Sequence, residues 1–141
     1  MKILVMGLPG SGKTWLSERM QRHMECAWYN ADKVREMAND WDFSPEGRVR
    51  QANRMRNIAD YEKSHGRNVI CDFVCPTHKT RSDFDADVTI WVDTIEKGRF
   101  EDTNKMFEEP INEMGGLICD YHISHYMSDE EIKEFAKNVA V

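Results

Sequence analysis

The stretch Gly7-Leu8-Pro9-Gly10-Ser11-Gly12-Lys13-Thr14 decides the fold. It matches G-x-x-x-x-G-K-[ST], the pattern of a phosphate-binding loop. Glycines let backbone N–H groups curl around phosphate oxygens with no Cβ in the way. A helix that starts at the end of the loop adds its positive N-terminal pole. The motif implies ATP and Mg²⁺. Gly7, Pro9, Gly10, Ser11 and Gly12 form the cradle, Lys13 reaches the β- and γ-phosphates, and Thr14 is a Mg²⁺ ligand. The alternative is an ordinary Gly/Pro turn with an exposed lysine, but the flanks argue against it. Residues 3–6 are a short apolar run, read as a buried strand, and residues 14–24 read as a helix.

Further along, residues 28–29, 69–71, 88–92 and 117–119 read as short strands. Residues 46–65 read as a helix with Val49, Ala52, Met55, Ile58 and Ala59 near a 3–4 spacing. Ser128-Asp129-Glu130-Glu131 has capping-box spacing and opens a last helix with Ile132, Phe135, Ala136 and Val139 as its apolar face. Strands alternating with helices predict an α/β three-layer sandwich, with a mostly parallel central sheet of about five strands flanked by helices. In such sheets the ligand crevice lies at the carboxyl ends of the strands. The loops after each predicted strand therefore converge on one edge.

Those loops carry acids. Asn30-Ala31-Asp32-Lys33-Val34-Arg35 follows the second run. Transfer of a phosphoryl group to an alcohol needs a carboxylate near the attacking hydroxyl and cations around the moving group. Asp32 fits the first need, or holds Mg²⁺ through water, and Arg35 on the same helical side grips an anion. Alternatively Asp32 only caps a helix and Arg35 is a surface side chain. Asp72 closes the third run as a Walker-B acid does, and is a second candidate for Mg²⁺. Asp93 closes the fourth in the same way, with a strand-end cap as its alternative.

At 141 residues the chain is expected to form one domain, residues 1–141. Acids outnumber bases 25 to 19, and residues 96–141 carry the whole net charge of −6. That balance argues against a broad nucleic-acid surface. Arg48, Arg50, Arg54 and Arg56 nevertheless leave a local basic site open. No apolar run approaches the roughly 18–20 residues that span a bilayer, and no secretory signal is apparent. The expected compartment is the cytoplasm, with Cys26, Cys71, Cys75 and Cys119 as reduced, mostly buried thiols. Asp120, His122 and His125 read as surface or capping residues before they read as a metal cluster.

Several segments, in order, resemble adenylylsulfate (APS) kinase, a P-loop kinase that phosphorylates the ribose 3′-hydroxyl of adenosine 5′-phosphosulfate. Beyond the P-loop, residues 30–35 resemble that family's D-G-D-N-x-R, and Phe43-Ser44-Pro45-Glu46-Gly47-Arg48 resembles F-S-P-E-D-R. Phe73-Val74-Cys75-Pro76 resembles F-I-S-P, and residues 88–94 resemble a strand ending in V-D-T. The resemblance implies that Asp32 serves the acceptor hydroxyl and that Phe43 stacks on the acceptor adenine. It implies that Arg35 and Arg48 grip the phosphosulfate, that Gln51 stands where the family has a substrate-contacting Asn, and that Phe73, Val74 and Cys75 line the pocket.

The chain also departs from that family. Asn30 stands at its first Asp, Lys33 at its Asn, and Thr77-His78 at its usual Tyr-Arg. The lysine-rich segment after V-D-T is replaced by a short lid at about 96–109, in which Arg99 is the first choice for a cation on the transferring group. P-G-S-G-K-T-W followed by N-x-D-x-x-R also resembles 5′-hydroxyl polynucleotide kinases, where Asp32 would activate a strand end and Arg35 hold its 3′-phosphate. The expected activity is an ATP-dependent kinase acting on APS or a similar adenosine-containing anion. A polynucleotide 5′-hydroxyl kinase and a nucleotide-binding module without turnover are the alternatives. The expected partner is a small-molecule nucleotide, with no membrane and, optionally, a second copy of the chain.

Overall fold

The computed structural model describes residues 1–98 and 100–140. Five strands, β1 (Lys2–Met6), β2 (Ala27–Asn30), β3 (Val69–Asp72), β4 (Val88–Val92) and β5 (Tyr121–Ile123), form one sheet in the order β2-β3-β1-β4-β5. All four pairings are parallel. The helices are α1 (Lys13–His23), α2 (Ala31–Ala38), α3 (Pro45–Ser64), α4 (His78–Phe84), α5 (Glu101–Met106) and α6 (Asp129–Ala140). Central strands of a parallel sheet are covered on both faces, so they read as continuous apolar runs. β1 is fully buried along its length.

Side chains alternate across a strand, and β1 divides between two cores accordingly. Ile3 and Val5 join Leu16 and Met20 of α1 and Ile132, Ala136 and Val139 of α6. Leu4 and Met6 join Met55 and Ala59 of α3 and Phe84 of α4. The expected capping box opens α6: Ser128 N–H donates to Glu131 Oε1 at 3.1 Å, and Glu131 N–H donates to Ser128 Oγ at 3.2 Å.

Two expectations fail. The fifth strand is Tyr121–Ile123, not residues 117–119. Leu117 forms an isolated antiparallel bridge with Ile111, and Leu117 and Ile118 are half exposed. β5 is an edge strand of three residues, too short for its pattern to outweigh a more apolar neighbour. In α3, Val49 is exposed, and the buried stripe is Gly47, Gln51, Met55, Ala59 and Glu62. Met55 and Ala59 lie on the buried face as expected, but polar Gln51 and Glu62 are buried there too because they have partners, which counting apolar residues does not find.

Candidate active site

The carboxyl ends of all five strands meet at one edge, where a cavity of about 910 Å³ opens. Its wall includes Pro9, Gly10, Gly12, Lys13 and Thr14 after β1, with Asn30 at the end of β2 and Asp32 just beyond it. Asp72, Phe73 and Val74 after β3 complete that part of the wall. The loop is tightly braced. Ser11 N–H donates to Leu8 O at 3.1 Å, and Thr94 Oγ1 donates to Ser11 O at 2.6 Å. Gly12 caps α1 at φ 102°, a conformation that favours glycine. A Cβ there would stand 2.9 Å from Tyr126 Cε1. At Gly7 a Cβ would run into the Val92 carbonyl.

Lys13 Nζ donates to Leu8 O at 3.0 Å, folded back over the loop it serves. Burial pushes its pKa down to about 8, although Asp72 and Asp32 pull the other way. Asp72 is buried at the end of β3, and desolvation raises its pKa against the hydrogen bonds it accepts. Those come from Trp28 Nε1 at 2.9 Å, from Asn30 Nδ2 at 3.2 and 3.3 Å, and from Thr14 Oγ1 at 3.4 Å. Thr14 hydroxyl and Asp72 carboxylate are hard oxygen donors at the mouth of a phosphate cradle. They fit Mg²⁺, which takes few protein ligands and completes its shell with phosphate and water. Among the described residues no group of three or more His, Cys, Asp or Glu side chains could hold a metal by itself. Asp93 meets His122 Nε2 at 2.9 Å instead.

On the other part of the wall, Asp32 is exposed in the first turn of α2, beside Trp41, Phe43 and Arg48. Arg48 donates through Nε to Phe43 O and through Nη2 to Asp102 Oδ2, both at 2.9 Å. Three expected contacts lie off the wall. Arg35 is buried behind Phe43, its guanidinium 4.4 Å from the ring centroid. Its Nη1 donates to the carbonyls of Asp40 and Asp42 at 2.9 and 3.2 Å. Gln51 donates to Ala31 O at 3.0 Å and accepts from Arg54 at 2.7 Å, which ties α3 to α2. The buried Cys75 thiol has its pKa pushed up to about 12 by desolvation.

The basic stretch is also largely committed. Arg50 and Arg54 both pair with Asp40, at 2.7 and 2.8 Å, and hold its carboxyl well below the usual range. Arg99 lies outside the described residues. In the lid, Phe100, Asp102 and Thr103 reach the cavity wall. Sequence reasoning missed these three, Trp28, and the Trp15–Tyr126 edge contact at 5.2 Å beside Gly12. Trp28 and Asn30 sit two apart on β2, on the side facing Asp72, but a four-residue strand hides its alternation. Tyr126 follows β5, whose position the apolar pattern misplaces.

The AAA domain family model matches residues 3–136. A probable adenylyl-sulfate kinase of Aeropyrum pernix is 32% identical over 89 residues, 57% of this chain and 47% of that protein. The match thus spans about half the length of that curated relative. The structure of Mycobacterium tuberculosis APS kinase in complex with AMPPNP and APS superposes with a TM-score of 0.73 at 19% identity. It covers 99% of this chain and 94% of that one. Shikimate kinase from Aquifex aeolicus gives a TM-score of 0.67 at 14% identity, covering 99% and 96%. The fold is that of the P-loop kinases.

Proposed function

The chain belongs to the AAA domain family, and from that premise we propose that it is an ATP-dependent kinase whose acceptor is an alcohol on an adenosine-containing anion, APS first. What supports the reading is one cavity wall that carries Lys13 and Thr14 together with Asp32 and the exposed ring of Phe43. A phosphate cradle and an acceptor platform thus share one space. Positioning of that kind dominates catalysis of phosphoryl transfer. The likeness to a curated adenylyl-sulfate kinase supports the choice of acceptor.

In this reading the P-loop and Lys13 hold the triphosphate of ATP. Asp32 takes the proton of the acceptor hydroxyl as its oxygen bonds to the γ-phosphorus. The bond to the β–γ bridging oxygen breaks, and ADP leaves. Thr14 and Asp72 would hold Mg²⁺, which supplies charge neutralisation to the phosphates when bound. Arg48 presents the one arginine of the 48–56 stretch on the cavity wall among the described residues. Arg35, Gln51 and Cys75 act from behind it, as supports of α2, Phe43 and the loop after β3. Arg99 remains the expected lid cation.

Radiolabelled ATP offered in parallel with APS and with a 5′-hydroxyl oligonucleotide tests the proposal. Label on APS is the expected result. Label on the oligonucleotide alone would replace the acceptor, and nucleotide binding without label on either would make the chain a binding module. Asp32→Asn is the matched control. It should keep ATP affinity and cut turnover by roughly 10²–10⁴, the contribution of a positioned acid–base group.

A further inference from the structure

Asn30 makes four hydrogen-bond contacts at the site, and no step above employs it. Its Oδ1 accepts from Lys33 N–H at 3.0 Å and so caps α2, the helix that carries Asp32. That bond fixes which way the amide points. The NH₂ group then faces the sheet and donates to Thr14 Oγ1 at 3.0 Å and to both oxygens of Asp72, at 3.3 and 3.2 Å. The strand register places Asn30 directly beside Asp72.

The lone pairs can be counted. A threonine hydroxyl has one hydrogen and two acceptor sites. Thr14 Oγ1 donates to Asp72 Oδ1 across 3.4 Å, and the Asn30 amide fills one acceptor site. One lone pair is left, and it belongs to the atom that the P-loop offers to a cation. The amide also separates two roles that a carboxylate would merge. Asp caps a helix as well as Asn does. At position 30, however, it would set a second negative charge against buried Asp72.

We propose that Asn30 is a positioning residue, which orients the Thr14 hydroxyl and the Asp72 carboxylate for a divalent cation that arrives with the nucleotide. The inference rests on the kinase reading of the P-loop. It adds that Asp72 is the one carboxylate set directly beside the Thr14 hydroxyl, so the free cation binds weakly and the nucleotide complex binds well. The same amide links the cation site to the first turn of the acceptor helix.

Asn30→Ser and Asn30→Asp separate the roles. Serine caps the helix but cannot donate to Thr14 and Asp72 together. Aspartate caps it and adds charge. Calorimetric ATP affinity is measured for each protein with Mg²⁺ and with EDTA, and melting temperature is measured with Mg²⁺ alone. In Asn30→Ser the gain in affinity that Mg²⁺ confers should fall by about tenfold, one charge-assisted hydrogen bond's worth, while affinity in EDTA stays at the wild-type value. In Asn30→Asp, Mg²⁺ without nucleotide should raise the melting temperature, and in the wild type it should leave it unchanged. An undiminished Mg²⁺ gain in Asn30→Ser would overturn the positioning role and leave the kinase reading standing. A wild-type chain that binds no ATP under either condition would overturn the kinase reading itself.

Discussion

At the residue scale the P-loop lysine carries a consequence of its burial. In the free protein Lys13 loses its proton as pH rises through about 8, well below the ordinary value of 10.5. Phosphate oxygens favour the ammonium form and raise that pKa on binding. ATP affinity should therefore be full below about pH 8 and weaken above it, with a proton taken up on binding in that range. Stability runs the opposite way. Between about 8 and 10.5 the unfolded chain holds the extra proton, so this residue makes the fold more stable as pH rises. Calorimetry in two buffers of different ionisation enthalpy reads the proton uptake, and Lys13→Ala should abolish both the uptake and most of the affinity. Affinity that stays level from neutral pH to about 9.5 would exclude the lysine from the phosphate site. The lysine's identity was legible from eight residues of sequence. Its altered acidity was not, because that comes from burial in the folded chain, opposed by Asp72, which is 59 positions away, and by Asp32.

At the element scale the lid is clasped to α3. Asp102 of α5 pairs with Arg48 of α3, and both line the cavity. Asp102 is mostly exposed, so the pair contributes no more than about 1 kcal/mol to stability. In the proposed reaction its effect on binding is more direct, since Asp102 competes with an anionic acceptor for Arg48. Asp102→Asn should lower the acceptor KM by up to about fivefold, the equivalent of that energy, and leave kcat and the melting temperature near wild type. An unchanged KM would show that Asp102 and the anionic acceptor do not compete for Arg48. This clasp marks where sequence reading stops. β1, β3 and β4 were legible because a covered parallel strand must be apolar, and the acids that close β3 and β4, Asp72 and Asp93, were legible as strand ends. The arginines of α3 were equally visible as charges. Their partners Asp40 and Asp102 lie on separate elements, and spacing along α3 says nothing of them. The resemblance to adenylylsulfate kinases placed Phe43, Arg48, Phe73 and Val74 on the wall, and it did not foresee that Arg35 and Gln51 are spent on backbone carbonyls.

At the scale of the whole molecule, the cavity wall comes mostly from the neutral first 95 residues, and of the acids beyond residue 95 it includes Asp102. The two parts are joined through packing. α6 lies against α1, the helix that the P-loop opens, and Ile132 and Ala136 are fully buried in the core that also holds Leu16 and Met20. If residues 1–141 fold as one domain, α6 cannot melt alone without opening that core. Ile132→Ala should then cost about 2–5 kcal/mol, which lowers the midpoint by roughly 10 °C in a chain of this size. The decisive observation is the shape of the transition. Helical circular dichroism and tryptophan fluorescence should lose signal together in the variant. Trp28 bonds Asp72 beside the P-loop, and Trp91 sits in the core on the other face, so fluorescence reports on the cradle and on the far side of the sheet. Coincident curves mean one cooperative unit. A first phase that removes helix while the tryptophan signal and ATP binding persist would divide the C-terminal helix from the kinase body, and the single-domain expectation would fall.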